Sequence, residues 1–556
     1  MREVLKVSER VSLGSDFDYE VIVIGAGIAG LYQLYRLRES GVRTRVFESG
    51  TGVGGTWYWN RYPGARCDVE SMQYSYSFDQ TLQQDWHWAE KYATQPEILG
   101  YLNHVTDRFD LRKNIEFDTE ITSAHFDEGS RCWDIKTNVG GHLLAQFFIM
   151  ATGCISTPQT PKIEGFSAYQ GKTYHTGTWP HEKVDFTGQR IAVIGTGSSG
   201  IQSIPVLAKE ADHVTVFQRT PHWSVPARNV PMTDEYEKEW KEDYAVRREK
   251  MRYSVSGSLK KLKSLDVPAL SVSVDEREEI FRERWEAGGM IYLRSFSDLL
   301  TKQEANDTAA EYVRERIRGI VKDPETAELL APKTYPIGTK RLCLDTNYYE
   351  TFNRDNVELV DISSQPIRQM TPTGLRANGR NFEFDSVVFA IGFDAMTGTL
   401  FNVDIRGRKG RMLKEKWHAG PRTYLGLMSA DFPNMFMITG PGSPSVKSNM
   451  LTSIEQHVEF VVDGLMYMRD NCLELIEPEL KAEDEWVDHV QEAANATLFP
   501  RANSWYMGAN IPGKPRLFMP YIGGVGRYRK ICEEIVENGY RGFKVQAKTS
   551  GAAAAE

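Results

Sequence analysis

The sequence predicts an α/β fold: two doubly wound, Rossmann-like dinucleotide-binding domains with a helical insertion. Three features point there. The run YEVIVIGAGIAGLYQLYRL, from Tyr19, reads as a short β-branched strand, a turn at Gly25, Gly27 and Gly30, and a helix with apolar residues at helical spacing. The same pattern recurs far downstream in GQRIAVIGTGSSGIQSIPVLAK, with Gly195, Gly197 and Gly200. Between Pro226 and Lys333 the texture changes to charged stretches of helical periodicity, such as DEYEKEWKEDYAVRREKMRY and DEREEIFRERWEAGG.

Each element has a local reason. In G-x-G-x-x-G the first Gly makes the tight turn, the second lets a pyrophosphate approach the backbone, and the third lets the helix pack on the strand. A second strand follows each turn-helix, TRVFESG in one unit and HVTVFQRT in the other. Asp323-Pro324 before ETAELL is a helix start, with Asp as cap and Pro at the first position. Strand texture returns at NVELVDI and SVVFAIGFD. The last third, with ITGPGSPSVKSNM, a helical pattern from Ser453 to Asn471, and NSWYMGANIPGKPR, returns to the first module. The expected boundaries are 12–154 and 394–546 for the first module, 155–225 and 337–393 for the second, and 226–336 for the insertion.

The residue ending each second strand separates the two nucleotides. Glu48 stands about 20 residues beyond Gly25, where a carboxylate accepts hydrogen bonds from an adenosine ribose, which suits FAD or NAD. The matching place in the second unit holds Arg219 and Thr220, which suit a ribose 2′-phosphate and therefore NADPH. Bound together, FAD and NADPH imply hydride transfer from nicotinamide to flavin. The six Cys form no C-x-x-C pair, so a disulfide-reductase acceptor is excluded, leaving molecular oxygen or an external electron carrier.

Composition narrows the class further. The 556 residues allow three or four domains at about 150 each, with ample core. A net charge of -9 leaves no basic footprint for nucleic acid or a membrane surface. Cys and His show no metal-ligand spacing, so no metal is expected, and the thiols read as reduced and buried in a cytoplasmic protein. The first 20 residues lack the apolar core of a signal peptide, no run reaches the roughly 18 apolar residues that span a bilayer, and SGAAAAE at the end reads as a disordered remainder.

The stretch YQGKTYHTGTWP, in what reads as a connector before the second glycine turn, resembles the F-x-G-x-x-x-H-x-x-x-W-P signature of Baeyer-Villiger monooxygenases. Gly171, His175, Trp179 and Pro180 are in place, and Tyr169 stands for the usual Phe. GGTWYWNRYPGARCD (54–68) and GTKRLCLDTNYYETFNRDNV (338–357) agree, and the similarity runs over nearly the whole chain, nearest to the phenylacetone and steroid monooxygenase branch.

The resemblance implies FAD contacts at Gly25, Gly27, Gly30, Glu48, Thr56, Trp57, Asp68, Tyr74 and Ile121. It implies NADP contacts at Thr196, Gly197, Ser198, Ser199, Gly200, Gln202, Arg219, Thr220, Lys340, Arg341 and Trp505. Arg341, positioned by Asp68, would be catalytic, keeping a flavin C4a-peroxide anionic so that it attacks a ketone and yields an ester or lactone. His175 would position the connector and respond to NADP. The partners are then a small-molecule ketone and O2, with a monomer expected. SPSVKSN, Ser443 to Asn449, matches an active-site loop that suits bulky aryl, cyclic or steroid ketones, although Lys447 departs from the pattern. The alternatives are a flavin N- or S-monooxygenase and a catalytically silent NADPH/FAD redox sensor.

Overall fold

The computed structural model describes residues 17–547; the expected leader and tail features lie outside them, as does the start of the first module at residue 12. The strands, in chain order, are Tyr19–Ile24 (β1), Thr44–Phe47 (β2), Ile115–Glu116 (β3), Ile121–Asp127 (β4), Cys132–Thr137 (β5) and His142–Met150 (β6), then Lys172–His175 (β7), Arg190–Ile194 (β8), His213–Gln218 (β9), Ser224–Pro226 (β10), Cys343–Asp345 (β11) and Val357–Asp361 (β12). The rest are Gln369–Thr371 (β13), Gly374–Ala377 (β14), Arg380–Glu383 (β15), Ser386–Phe389 (β16), Asp404–Arg406 (β17), Met435–Met437 (β18), Leu473–Pro478 (β19) and Phe543–Ala547 (β20).

Two parallel sheets carry the molecule. The first has the order β3-β2-β1-β6-β18, all parallel, with the antiparallel β4 and β5 and then β17 continuing from the early half of β6. The second has the order β12-β9-β8-β16-β7, parallel throughout. Parallel sheets covered on both faces need continuous apolar strands, and Val21, Ile22, Val23 and Ile191, Ala192, Val193 are all fully buried. From the final third, β17 and β18 enter the first sheet, and the helix Met450–Asp470 packs on the helix Ile28–Glu39.

The stretch expected as a connector is structured. Its residues Lys172–His175 are β7, the edge strand of the second sheet, with His175 opposite Phe389 of β16. The reason lies in residues far along the chain that supply the pairing strand. Tyr169 is buried and its Oη donates to the Phe384 carbonyl at 2.9 Å, a bond that Phe could not make. Gly171 is required because a Cβ there would meet the Asp385 carbonyl at 2.7 Å.

The helical segment leaves through β10 and returns through β11, which pair in register from Ser224 opposite Cys343 to Pro226 opposite Asp345. Its helices divide between the modules. Trp240, Tyr244 and Met251, from Asp234–Glu242 and Tyr244–Tyr253, join the core that holds Tyr76 and Tyr101 of the first module. Phe281, Trp285 and Tyr312, from Val274–Ala287 and Gln303–Ile320, join the core with Trp223 and Tyr335. Asp323 accepts from Thr326 N–H and caps Pro324–Leu330, as its sequence predicts. Five cysteines are buried and none is in a disulfide, but Cys472 is exposed in the turn after the long helix, contrary to a uniformly buried set.

Both third glycines sit where helix meets strand. A Cβ on Gly30 would fall 1.8 Å from the Gly25 carbonyl oxygen, and one on Gly200 2.3 Å from that of Gly195. Backbone cannot swing aside as a side chain can, so Gly30→Ala should destabilise the full chain by about 1–3 kcal/mol, the usual range for overpacking. Denaturant unfolding checks this, and an unchanged midpoint would show that the turn yields.

Candidate active site

The first glycine turn leads into a helix whose N-terminus has neither a side-chain cap nor an acidic residue in its first turn. The second is the same at Gly197 and the helix Ser198–Glu210. Uncapped amides and the dipole of a helix of this length are what a pyrophosphate takes up, so both sites fit a dinucleotide. Gly27 lies against Gly55, where a Cβ on either would come within 3.3 Å of the other's Cα, while space is open beyond Gly197.

Around the first turn, Glu48 is buried and both its carboxylate oxygens accept backbone N–H groups, from Ala26 at 2.7 Å and Gly50 at 2.9 Å. Its orientation is thereby fixed beside the turn. Thr56 opens the short helix Thr56–Trp59 directly after Gly55. Trp57 Nε1 donates to Tyr74 Oη at 3.2 Å, and both rings are buried. Ile121 starts β4 in the core layer that contains Phe47, two residues past Thr119, whose N–H donates to the Glu48 carbonyl.

Around the second turn, Thr196 Oγ1 donates to the Thr220 carbonyl, joining turn to strand end. Ser198 Oγ contacts Cys343 Sγ at 3.1 Å; burial raises that thiol to about 12, so it stays protonated. Ser199 follows in the same turn. Arg219 is exposed and Lys340 half-buried, with its Nζ 4.3 Å from the Tyr335 ring centroid. Burial first, and the charge of Arg219 second, lower the Lys340 amine to about 8. Neither cation has a carboxylate partner among the described residues.

The two modules meet through the loop 60–68. Tyr62 Oη donates to Gln202 Oε1 at 2.7 Å, and Gln202 Nε2 donates to the Arg66 carbonyl at 3.1 Å. Gly64, at φ +84°, lets this loop touch the second module's helix, since a Cβ there would meet the Gln202 carbonyl at 2.2 Å. At the loop's end Asp68 Oδ2 accepts from Arg341 Nε at 2.9 Å and Nη2 at 2.5 Å, across 273 residues of chain. Arg341 Nη1 donates to the Val446 carbonyl at 2.6 Å. Burial would lower the Arg341 pKa, but the charge and hydrogen bonds of Asp68 together with Tyr506 and Cys343 more than reverse this, so the guanidinium is permanently charged. About a quarter of each side chain stays open to the cleft.

Sequence reasoning did not find three neighbours of this pair. Tyr506, beside Trp505 with ring centroids 4.3 Å apart, is fully buried and lies under Lys447. Val446 supplies the carbonyl for Arg341. Gln73 is buried and ties the loop after Ser443 to the helical segment: Asn449 Nδ2 donates to its carbonyl at 2.8 Å, and its amide exchanges two hydrogen bonds with the Leu259 backbone. The only sequence signal was the adjacency of Tyr506 to Trp505 and of Val446 to Lys447. In the signature motif, Trp179 is buried, and His175 Nδ1 accepts from Gly177 N–H at 2.9 Å while Nε2 is buried without a hydrogen-bond partner. Burial holds the imidazole below its ordinary pKa.

Two uncapped glycine-turn helices, one in each module, with Arg341 of the second bonded to Asp68 of the first and no disulfide, fit a two-nucleotide flavoprotein oxidoreductase. A family profile described as "Pyridine nucleotide-disulphide oxidoreductase" matches residues 22–267. A Baeyer-Villiger monooxygenase of Pseudooceanicola batsensis is 43% identical over 95% of this chain and 96% of its own. A phenazine N-monooxygenase of Lysobacter antibioticus is 40% identical over 96% and 98%. The solved structure of an oxidised steroid monooxygenase bound to NADP is 51% identical, covering 95% of this chain and all of its own, with a TM-score of 0.91. The chain belongs to the Baeyer-Villiger monooxygenase family of FAD- and NADPH-dependent oxidoreductases.

The pair Asp68–Arg341 links the two modules, so its energetic coupling is measurable. A double-mutant cycle of Asp68→Asn and Arg341→Met, read by denaturant unfolding of the full chain, should give a coupling of about 0.5–3 kcal/mol. Strictly additive values would show that the contact does not hold the modules together.

Proposed function

We propose that the cleft oxygenates bulky aryl, cyclic or steroid ketones, and that Arg341 is the catalytic cation. The supporting observation is the geometry of Arg341: three of its five N–H donors are taken by Asp68 and Val446, leaving two in a cleft flanked by both dinucleotide sites. The overall change is ketone + O2 + NADPH + H+ to ester or lactone + NADP+ + H2O. Bound FAD supplies the relay of two electrons from NADPH and the activation of oxygen.

The chain's own residues do the rest. Arg341 cannot lose its proton, so it stabilises negative charge developing on oxygen beside it without protonating that oxygen. The ketone oxygen gains such charge as its carbonyl carbon is attacked. Asp68 and the Val446 carbonyl hold the guanidinium in one orientation. Arg219, Thr220 and Lys340 take the 2′-phosphate, the amides after Gly197 with Ser198 and Ser199 take the pyrophosphate, and Gln202 and Trp505 stand beside the rest of the nucleotide. Gly25, Gly27, Gly30, Glu48, Thr56, Trp57, Tyr74 and Ile121 hold FAD. His175, kept neutral by burial, positions the edge strand and the Trp179-Pro180 turn.

No helix among the described residues is long and apolar enough to cross a membrane, and a monomeric, cytoplasmic enzyme is the simplest form. The phenazine N-monooxygenase among its relatives favours heteroatom oxygenation, at nitrogen or sulfur, as the second reading. FAD-loaded protein incubated in air with NADPH, a panel of ketones and one thioether separates the two: esters or lactones carrying one added oxygen support the first, and oxidation of the thioether alone supports the second.

Two outcomes follow. Arg341→Ala should lower ester formation by about 100-fold or more, the usual loss for a preorganised charge, while the flavin stays bound. Because Lys340 is cationic below about pH 8, NADPH binding should weaken as pH rises through that value, and Lys340→Met should remove the dependence. A Michaelis constant for NADPH that is unchanged from pH 7 to pH 9 would remove Lys340 from the phosphate site.

A further inference from the structure

Lys447 is the residue that departs from the family pattern, and its surroundings are unusual. It lies next to Val446, whose carbonyl is bonded to Arg341, and its Nζ stands 4.2 Å from the Phe499 ring centroid and 4.8 Å from that of Tyr506. Its ammonium makes no hydrogen bond or ion pair with any described residue. Ring faces attract a cation but do not neutralise it.

Two more cations share that surrounding. Arg294 ends the short helix Gly289–Arg294, whose Leu293 packs at Gly338, three residues before Arg341. Lys260 follows Leu259, whose backbone is held by Gln73, the residue that also holds Asn449 of the loop. Arg294 and Lys260 are half-buried, and neither has an ion-pair partner among the described residues. Asp68 is already taken by Arg341. In a chain with a net charge of -9, Lys447 and Arg294 stand unpaired beside each other, and Lys260, beside Arg294, has the carboxylates of Glu70 and Asp68 nearby.

Such an arrangement costs stability unless an anion completes it, because burying charge is unfavourable without a partner. The phosphates of NADPH have their own cations and uncapped amides at the second glycine turn. The loop that carries Lys447 instead adjoins the free face of Arg341, where the ketone is oxygenated. We infer that the substrate is a ketone bearing a carboxylate, with Lys447 as its principal recognition residue and Arg294 and Lys260 supporting the same charge. The inference rests on the proposed oxygenation site.

Burial first, and the charges of Arg341 and Arg294 next, bring the Lys447 amine down to about 7. The groups facing this region are Arg341, Arg294, Lys260, Lys91, Asp68, Glu70 and Tyr506. Lys447 is therefore charged well below pH 7 and loses its charge as pH rises through that value, while the substrate carboxylate stays ionised. Preference for the acid should be greatest at the low end and fade upwards.

The test compares aryl methyl ketones carrying a short carboxylate arm with their methyl esters, using the FAD-loaded enzyme and NADPH. The kcat/KM ratio of acid to ester should be at least about tenfold, carried by KM, and should collapse towards one in Lys447→Met. Lys447→Arg should restore the ratio and make it independent of pH. A wild-type ratio near one, a ratio unmoved by Lys447→Met, or preference for the ester or a coenzyme A thioester would overturn the inference. A second readout needs no turnover: calorimetric titration of the oxidised, NADP+-saturated enzyme with 4-phenylbutanoate and 4-phenylbutanamide. Tighter binding of the carboxylate, lost in Lys447→Met, upholds the inference even if no ketone is oxygenated, in which case the oxygenation reading alone fails. Equal binding of acid and amide overturns it.

Discussion

The contact between Arg341 and Asp68 is the constraint on which the arrangement of the cleft depends. Each module has its own sheet, but their cores share residues: Tyr62, Ala65 and Tyr92 of the first module pack in the core of the second, and Trp240 and Tyr244 of the helical segment pack in that of the first. A polar seam runs along this apolar contact: Tyr62 and Arg66 on Gln202, then Asp68 on Arg341. A polar seam holds orientation at low cost in burial and can be remade after a shift. A hydrophobic one of the same area would fix the modules more rigidly. Val446 adds a third chain segment to the same guanidinium, so the loop after Ser443 is placed by the seam too.

Glycine sets how closely these parts approach. Gly27 and Gly55 meet back to back, and Gly64 admits the Gln202 carbonyl. Side chains at these points would push the first nucleotide site away from the loop that carries Asp68. The helix N-termini at Gly27 and Gly197 add to this: each leaves its first amides without a side-chain cap directly after a glycine turn.

What was legible in the sequence was local. The strand-turn-helix units and the Asp323 cap follow from periodicity and turn chemistry over a few residues, whereas the pairing of β17 and β18 with the first sheet has no such local source. The Trp179 motif was visible as residues but not as a strand, because β7 exists only through its pairing with Ser386–Phe389. The helical segment showed its period but not its partners: Trp240 and Phe281 lie on similar charged helices, yet join different cores. Lys447 was visible as an oddity and became interpretable only when Phe499, Tyr506 and Arg294, remote in sequence, were placed around it. Individual side-chain neighbours across hundreds of residues leave no local trace in a single chain.

The short ribbon of β10 and β11 carries a consequence for how such proteins diversify. By clasping the two ends of the helical excursion, it anchors Arg341 beside the second glycine turn whatever the excursion contains. Lys260 and Arg294 lie inside that excursion, whereas Asp68, Lys340 and Arg341 lie outside it or at its clasp. Part of the cleft's lining can therefore change within the excursion while the residues that hold Arg341 stay as they are, whereas Lys447, outside it, changes independently of both.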